Sequence, residues 1–86
     1  MALKATPEML EHIRAAIGPL DTDQVRDVYR RGDIPRADTV KDLDRRYRHD
    51  LFYAAGLTRY ACDVLYPAGL TDKHIDSALR TIVRPL

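Results

Sequence analysis

The chain has 86 residues, of which 45% are hydrophobic and 31% charged, a composition that predicts one globular domain with a small core. The 14 basic and 13 acidic side chains give a formal net charge of +1, which excludes a strongly basic nucleic-acid-binding tail and an acidic mimic of DNA. No apolar stretch is long enough to span a membrane, and the first seven residues lack the apolar run of a signal peptide. The single cysteine, Cys62, excludes an internal disulfide framework, and we expect a cytoplasmic protein.

Apolar residues at helical spacing, interrupted by glycine and proline, predict five short helices and no strand. The first helix is expected to begin after Thr6, which is a good capping residue and is followed by Pro7, and to end at Gly18. Its apolar stripe consists of Met9, Leu10, Ile13, Ala16 and Ile17.

The second helix is expected to begin at Asp21, because Gln24 follows it at capping-box spacing, and to end at Gly32. Its predicted inner face consists of Val25, Val28 and Tyr29. A connector over residues 33–36 follows, in which Ile34 is expected to point inward.

The third helix, roughly Asp38 to Ala55, is the longest and is predicted to be the central spine of the fold. Its apolar positions recur at spacings of three and four, and they are Val40, Leu43, Tyr47, Leu51 and Ala54. Gly56 is expected to end this helix or, if the helix continues into the next one, to kink it.

A short fourth helix is expected to be capped by Thr58 and to run through Tyr66. Its predicted inner face consists of Tyr60, Ala61, Val64 and Leu65. The fifth helix is expected to follow Thr71, with an apolar stripe of Ile75, Ala78, Leu79, Ile82 and Val83. Together these helices predict one compact all-α bundle that comprises residues 1–86 as a single domain.

The residues that could carry chemistry do not have the spacing of a catalytic or metal site. Cys62 has no histidine at the spacing of a nucleophile motif, which favours a buried or half-buried structural thiol. Adjacent side chains on a helix point apart, so His49 and Asp50 do not form a chelate by themselves. We therefore expect a protein that is not an enzyme and that holds no metal or cofactor.

Charge is concentrated between Arg30 and Arg48, where seven basic residues are interleaved with four acidic ones. On the third helix, Asp42 and Arg46 have the spacing of an i,i+4 ion pair, and so do Asp44 and Arg48. The stretch has two interpretations: a solvated helix surface whose charges pair with one another, or an arginine-rich surface that binds a partner.

Aromatic residues cluster between residues 47 and 66. Tyr47 belongs to the apolar stripe of the third helix, whereas Phe52 and Tyr53 lie on its flanks, either as core rings or as surface rings. Tyrosine, phenylalanine and arginine together are typical of protein interfaces. The candidate partner-binding residues are therefore Arg45, His49, Phe52 and Tyr53 along the third helix, with Arg30, Arg31 and Arg36 at its entrance.

The fifth helix suggests an alternative function, that of a small DNA-binding transcriptional regulator with a helix-turn-helix-like pair. The candidate DNA-binding residues, predicted to share one face of this helix, are Lys73, Ser77, Arg80 and Arg84. The connector before the helix is longer than the tight turn of that motif, and Asp72 and Asp76 would repel phosphates. Nucleic acid is therefore the less favoured partner.

The stretch from Arg46 to Gly56, together with the later stretch from Asp72 to Arg80, resembles small uncharacterised proteins encoded in bacterial prophages. The resemblance covers about half of the chain and carries over no functional residue. It implies a binder of the kind that inhibits host defence complexes, as anti-CRISPR proteins do, or a small regulator. We therefore expect a non-enzymatic protein-binding module that occludes a surface of a host or phage protein complex, and a homodimer is a second expectation.

Overall fold

The computed structural model describes residues 4–31 and 39–86, and these residues form helices and turns without a strand. The helices are α1 (Pro7–Ile17), α2 (Asp23–Arg30), α3 (Val40–Ala54), α4 (Leu57–Tyr60) and α5 (Asp72–Ile82). A 3-10 turn, Gly18–Leu20, joins α1 to α2, and α4 continues into a π-helical turn, Ala61–Leu65. The predicted all-α bundle of five helices is confirmed.

The buried core runs through every helix except α2. It consists of Ile13, Ile17, Tyr47, Leu51, Leu57, Ala61, Leu65, Leu70, Ile75, Leu79 and Val83. Helix α3 contacts each of the other four helices, which confirms its predicted position as the spine of the fold. None of the described helices combines the length and apolar character needed to cross a membrane.

Threonine caps set the beginnings of three helices. The hydroxyl oxygens of Thr6, Thr22 and Thr39 each accept a hydrogen bond from the backbone N–H three residues ahead, at 3.2–3.3 Å. The predicted cap of α2, Asp21, is therefore wrong by one residue. Its carboxylate is not available for capping, because it accepts hydrogen bonds from the side chains of Arg26 and Tyr47.

The predicted inner face of α2 is also wrong. Val25 and Val28 are exposed, the latter to 48%, and the buried residue of this helix is Arg26, which is 1% exposed. Only Tyr29 of the predicted face packs against the core. The guanidinium of Arg26 can be buried because carboxylate and backbone carbonyl oxygens accept hydrogen bonds from it.

Helix α3 ends at Ala54, and Gly56, two residues later, adopts a left-handed conformation with φ of 73°, so α3 and α4 are separate helices. The residue that follows, Leu57, is buried, and Thr58 is not the cap that the sequence suggested. The buried residues of α4 and of the π-helical turn that follows it are spaced four apart, as Leu57, Ala61 and Leu65. Tyr60 and Val64, predicted to point inward, are only half-buried.

The ends of the predicted stripes lie outside the core. Val40 is 70% exposed because it occupies the first turn of α3, and Ala54 is exposed in the last turn. The predicted bounds at Gly32 and Asp38 and the predicted inward position of Ile34 concern residues outside the described ones. Among the described residues, α2 ends at Arg30 and α3 begins at Val40.

Candidate functional site

Two grooves lie side by side between α3 and α5, and together they form a surface that we call the α3–α5 face. The basic groove has a volume of about 530 Å³, and its lining includes Lys41, Asp42, Asp44, Arg45, Arg48 and Arg80. The aromatic groove has a volume of about 350 Å³, and its lining includes His49, Asp50, Phe52, Tyr53, Tyr66 and Asp72. The first half of α3 thus lies beside the end of α5 and the second half beside its beginning, so the two helices are antiparallel.

The grooves meet at a cluster of charged side chains around Asp76. One carboxylate oxygen of Asp76 lies 3.2 Å from Nε of Arg48 and 3.7 Å from Nε2 of His49, and the other lies 3.2 Å from Nε of Arg80. Arg48 and Asp76 are largely buried, whereas His49 and Arg80 are exposed. The Arg48–Asp76 pair therefore fixes α5 against α3 at the boundary between the two grooves.

The aromatic groove carries one prominent ring. Tyr53 is 75% exposed, although it is a large and partly apolar side chain. Phe52 beside it is half-buried and packs against the core, so it forms the floor of the groove rather than its rim. The structure thus separates the two rings that the sequence could not distinguish: Tyr53 belongs to the surface and Phe52 to the edge of the core.

Two carboxylates give the aromatic groove a negative rim. Tyr66 donates a hydrogen bond to Asp72 at 2.5 Å, and Tyr29, from α2, donates one to Asp50 at 2.5 Å. The hydrogen bond to Asp72 raises the pKa of Tyr66, and burial together with the hydrogen bond to Asp50 raises the pKa of Tyr29 to about 12. A neutral hydroxyl does not cancel the charge of a carboxylate, but Arg46 also lies close enough to Tyr29 to oppose this rise in its pKa, so a cation borders the Asp50 side of the rim.

The basic groove presents its cations at the other end of the face. Arg45 forms an exposed ion pair with Asp42 at 3.3 Å, which contributes only a few tenths of a kcal/mol. The predicted pairing of Asp44 with Arg48 is wrong, because Arg48 reaches Asp76 and Asp44 accepts a hydrogen bond from the backbone N–H of Leu86 at 2.7 Å.

The structure brings four of the predicted partner-binding residues together on the α3–α5 face: Arg45, His49, Phe52 and Tyr53. Arg30 and Arg31 do not line it. Arg30 pairs with Asp27 at the end of α2, and Arg31 is the C-cap of that helix. Arg36 lies outside the described residues.

The four candidate DNA-binding residues do not form one helical face. Lys73 and Ser77 are exposed on α5, and Arg80 is paired with Asp76 of the same helix. Arg84 lies beyond the end of α5, because Val83 is already extended with ψ of 125°. The prediction that Arg84 continues the helical face is therefore wrong.

A buried polar cluster, which we call the clamp, was not predicted from the sequence; it consists of Asp21, Arg26 and Tyr47. The guanidinium of Arg26 donates to Asp21 at 3.0 Å, to the backbone carbonyl of Arg84 at 3.1 Å and to that of Pro85. The hydroxyl of Tyr47, a fully buried residue, also donates to Asp21. The clamp thus joins α2, α3 and the last residues of the chain.

The clamp shifts the ionisation of its members. Burial would raise the pKa of Asp21, but the hydrogen bonds from Tyr47 and Arg26 outweigh burial and hold that pKa below its ordinary value of 3.8. Burial, reinforced by the hydrogen bond to Asp21, raises the pKa of Tyr47 to about 12. Ionised Asp21 and neutral Tyr47 are therefore the forms that the folded chain stabilises near neutral pH.

Cys62 is exposed on the π-helical turn, so the expectation of a buried or half-buried thiol is wrong. Among the described residues, no group of three or more histidine, cysteine, aspartate and glutamate side chains is placed to hold a metal ion. Comparison of the chain with protein-family models, with curated proteins and with solved structures finds no match.

Proposed function

We propose that this chain is a non-enzymatic protein-binding module that acts through the α3–α5 face and occludes a surface of a host or phage protein complex. The prophage-like context suggested by the sequence makes an inhibitor or adaptor of the anti-CRISPR kind the favoured role. The observation that carries the proposal is the 75% exposure of Tyr53 beside the half-buried Phe52, in a groove next to an arginine-lined one.

This combination has the composition of a binding hot spot. Tyrosine and arginine dominate interface energetics, and truncation of such a residue at the centre of an interface costs about 2 kcal/mol or more. Most of the Tyr53 ring faces solvent in the free chain, so a partner that covers it removes apolar surface from water, which favours binding. A rigid ring on a helix also loses little conformational entropy when a partner covers it.

The face offers binding groups rather than reaction chemistry. Its charged side chains are engaged with one another, Arg45 with Asp42 and Asp76 with Arg48 and Arg80. The hydroxyls of Tyr29 and Tyr66 donate to carboxylates and have raised pKa values, which opposes a role for these two groups as nucleophiles. These features support positioning and recognition.

The proposal is tested by affinity capture from a host lysate with the tagged wild-type chain and two variants. Tyr53→Ala should lose the captured protein by tenfold or more, which corresponds to about 1.4 kcal/mol. The matched control is Val28→Ala, which removes an exposed apolar side chain on α2, outside both grooves, and should capture as the wild type does. Equal capture by Tyr53→Ala and the control would contradict the proposed site.

The DNA-binding alternative has less structural support, because Arg80 shares Asp76 with Arg48 and Arg84 lies beyond the end of the helix. We expect fluorescence anisotropy to detect no binding to labelled duplex DNA even at low salt. Tight binding that falls steeply as salt is raised, and that Lys73→Ala weakens, would contradict the protein-binding proposal and favour the regulator.

A further inference from the structure

The α3–α5 face is electrically bipolar along its length. The lining of the basic groove has four cationic side chains and two carboxylates, and that of the aromatic groove has three carboxylates and one histidine. Arg45 and Arg80 lie at the basic end, and Tyr53 and Asp72 lie at the aromatic end. All four side chains are exposed. The junction at Asp76 separates the two ends.

The four residues are arranged symmetrically about the junction. On α3, Arg45 and Tyr53 lie four residues before and after His49, which is about 6 Å of helix on each side. On α5, Arg80 and Asp72 lie four residues after and before Asp76, which is again about 6 Å. His49 and Asp76 are themselves in contact, with Nε2 of His49 at 3.7 Å from the carboxylate.

Such an arrangement is complementary to itself. Two copies can be related by a two-fold axis that lies in the plane of the face and crosses both helices at the His49–Asp76 contact. Rotation about this axis places α3 of one copy antiparallel on α3 of the other, and α5 antiparallel on α5. Arg45 of one copy then meets Tyr53 of the other, and Arg80 meets Asp72. The first contact is a cation–π pair and the second is an ion pair. Because of the symmetry, each contact occurs twice in the dimer.

We propose that the occupant of the α3–α5 face in the free protein is a second copy of this chain, docked antiparallel about this axis. The inference deepens the proposed function, on which it rests, because it names a partner for the same face. Charge complementarity favours a second copy over a host protein, because the basic end of the face meets the acidic, aromatic end of the same face in the other copy. Capture of a host protein would then compete with the dimer.

A charge-exchange experiment tests the inference. Arg80→Glu makes both ends of α5 acidic, and Asp72→Arg makes both ends basic. In a dimer of either variant, positions 80 and 72 of opposite copies then carry like charges, and the symmetry repeats this repulsion at two contacts. In an equimolar mixture the two variants are complementary at both contacts. Sedimentation equilibrium, with circular dichroism to follow the fold, measures association of each variant and of the mixture.

We expect the wild type to dimerise, each variant to dimerise about tenfold more weakly or worse, and the mixture to recover wild-type association. The control Arg14→Glu reverses an exposed charge on α1 and should not change the dimer. Because Arg80→Glu also breaks the pair with Asp76, Tyr53→Ala provides a second variant that leaves all ion pairs intact and should weaken the dimer. A monomeric wild type, or a mixture no better than its components, overturns the inference.

The two proposals fail separately. A monomeric wild type whose capture of a host protein depends on Tyr53 would overturn the dimer and leave the binding module standing. A dimer rescued by charge exchange, with host capture insensitive to Tyr53→Ala, would overturn the proposed host contact and leave the self-complementary interface.

Discussion

The molecule contains two arginine–carboxylate centres, the clamp around Arg26 and the junction around Asp76, and they differ in burial. The side chain of Arg26 is 2% exposed, and its guanidinium also donates to backbone carbonyls near the end of the chain. At the junction one carboxylate, Asp76, faces Arg48, Arg80 and His49 and borders two open grooves. The clamp thus only fixes the fold, whereas the junction both fixes α5 against α3 and presents exposed cations on a surface.

The difference in burial determines what a charged pair contributes in a small domain. In the clamp the anion lies inside with its cation, and loss of either leaves a buried group without its partner. At the junction the Arg48–Asp76 pair is also largely buried, but His49 and Arg80 are exposed, so these two side chains can exchange partners when another molecule covers the face. The clamp should therefore govern stability and the α3–α5 face should govern binding.

The largest expected effect is that of Arg26→Ala. It removes the hydrogen bonds to Asp21 and to the carbonyls of Arg84 and Pro85, and we expect the free energy of unfolding to fall by about 3 kcal/mol or more. Urea unfolding followed by circular dichroism measures it. The matched control is Arg14→Ala, which breaks an exposed pair with Glu11 and should cost less than about 0.5 kcal/mol. Similar losses in the two variants would remove the distinction between buried and exposed arginines.

A smaller effect is expected from Tyr47→Phe, which keeps the buried ring and removes only the hydroxyl that donates to Asp21. We expect a loss of about 1–2 kcal/mol in the same urea experiment. Tyr66→Phe is the matched control, because it removes an exposed hydroxyl that also donates to a carboxylate, Asp72. An equal loss of unfolding free energy in Tyr66→Phe and Tyr47→Phe would contradict the clamp.

The clamp also predicts a dependence of stability on pH. The pKa of Asp21 is lower in the folded chain than its ordinary value of 3.8, so below that value the unfolded chain binds more protons than the folded one. The stability contributed by Asp21 is therefore present above pH 3.8 and is lost as pH falls through the folded pKa. Thermal unfolding across this acidic range should show a shallower loss for Asp21→Asn than for the wild type, and equal slopes would contradict the assignment.

The sequence predicts the parts of this comparison that depend on local pattern. Thr6 and Thr71 mark the beginnings of α1 and α5 because capping and the apolar stripe that follows are properties of neighbouring residues. The spacing of His49, Phe52 and Tyr53 likewise places them near one another on α3 and made them candidates for the face. Which ring would be covered depended on where α4 and α5 pack, and no local pattern contains that information.

The clamp could not be predicted for the same reason. Arg26 lies next to Val25 in a helix whose valines suggested an apolar inner face, yet its partner carbonyl on Arg84 is 58 residues away along the chain. Arg80 and Arg84 looked equivalent at helical spacing, but the helix ends between them. In each case a contact between distant segments, rather than a propensity, determined the outcome.

The division between clamp and face is tested most directly by measuring host-protein capture with Tyr47→Phe and Tyr53→Ala side by side, each normalised to folded protein. Both substitutions alter a tyrosine of α3, one fully buried and one 75% exposed. We predict that Tyr47→Phe, although less stable, captures as the wild type does, and that Tyr53→Ala, although equally stable, loses capture. Loss of capture with Tyr47→Phe and retention with Tyr53→Ala would contradict the assignment of binding to the α3–α5 face.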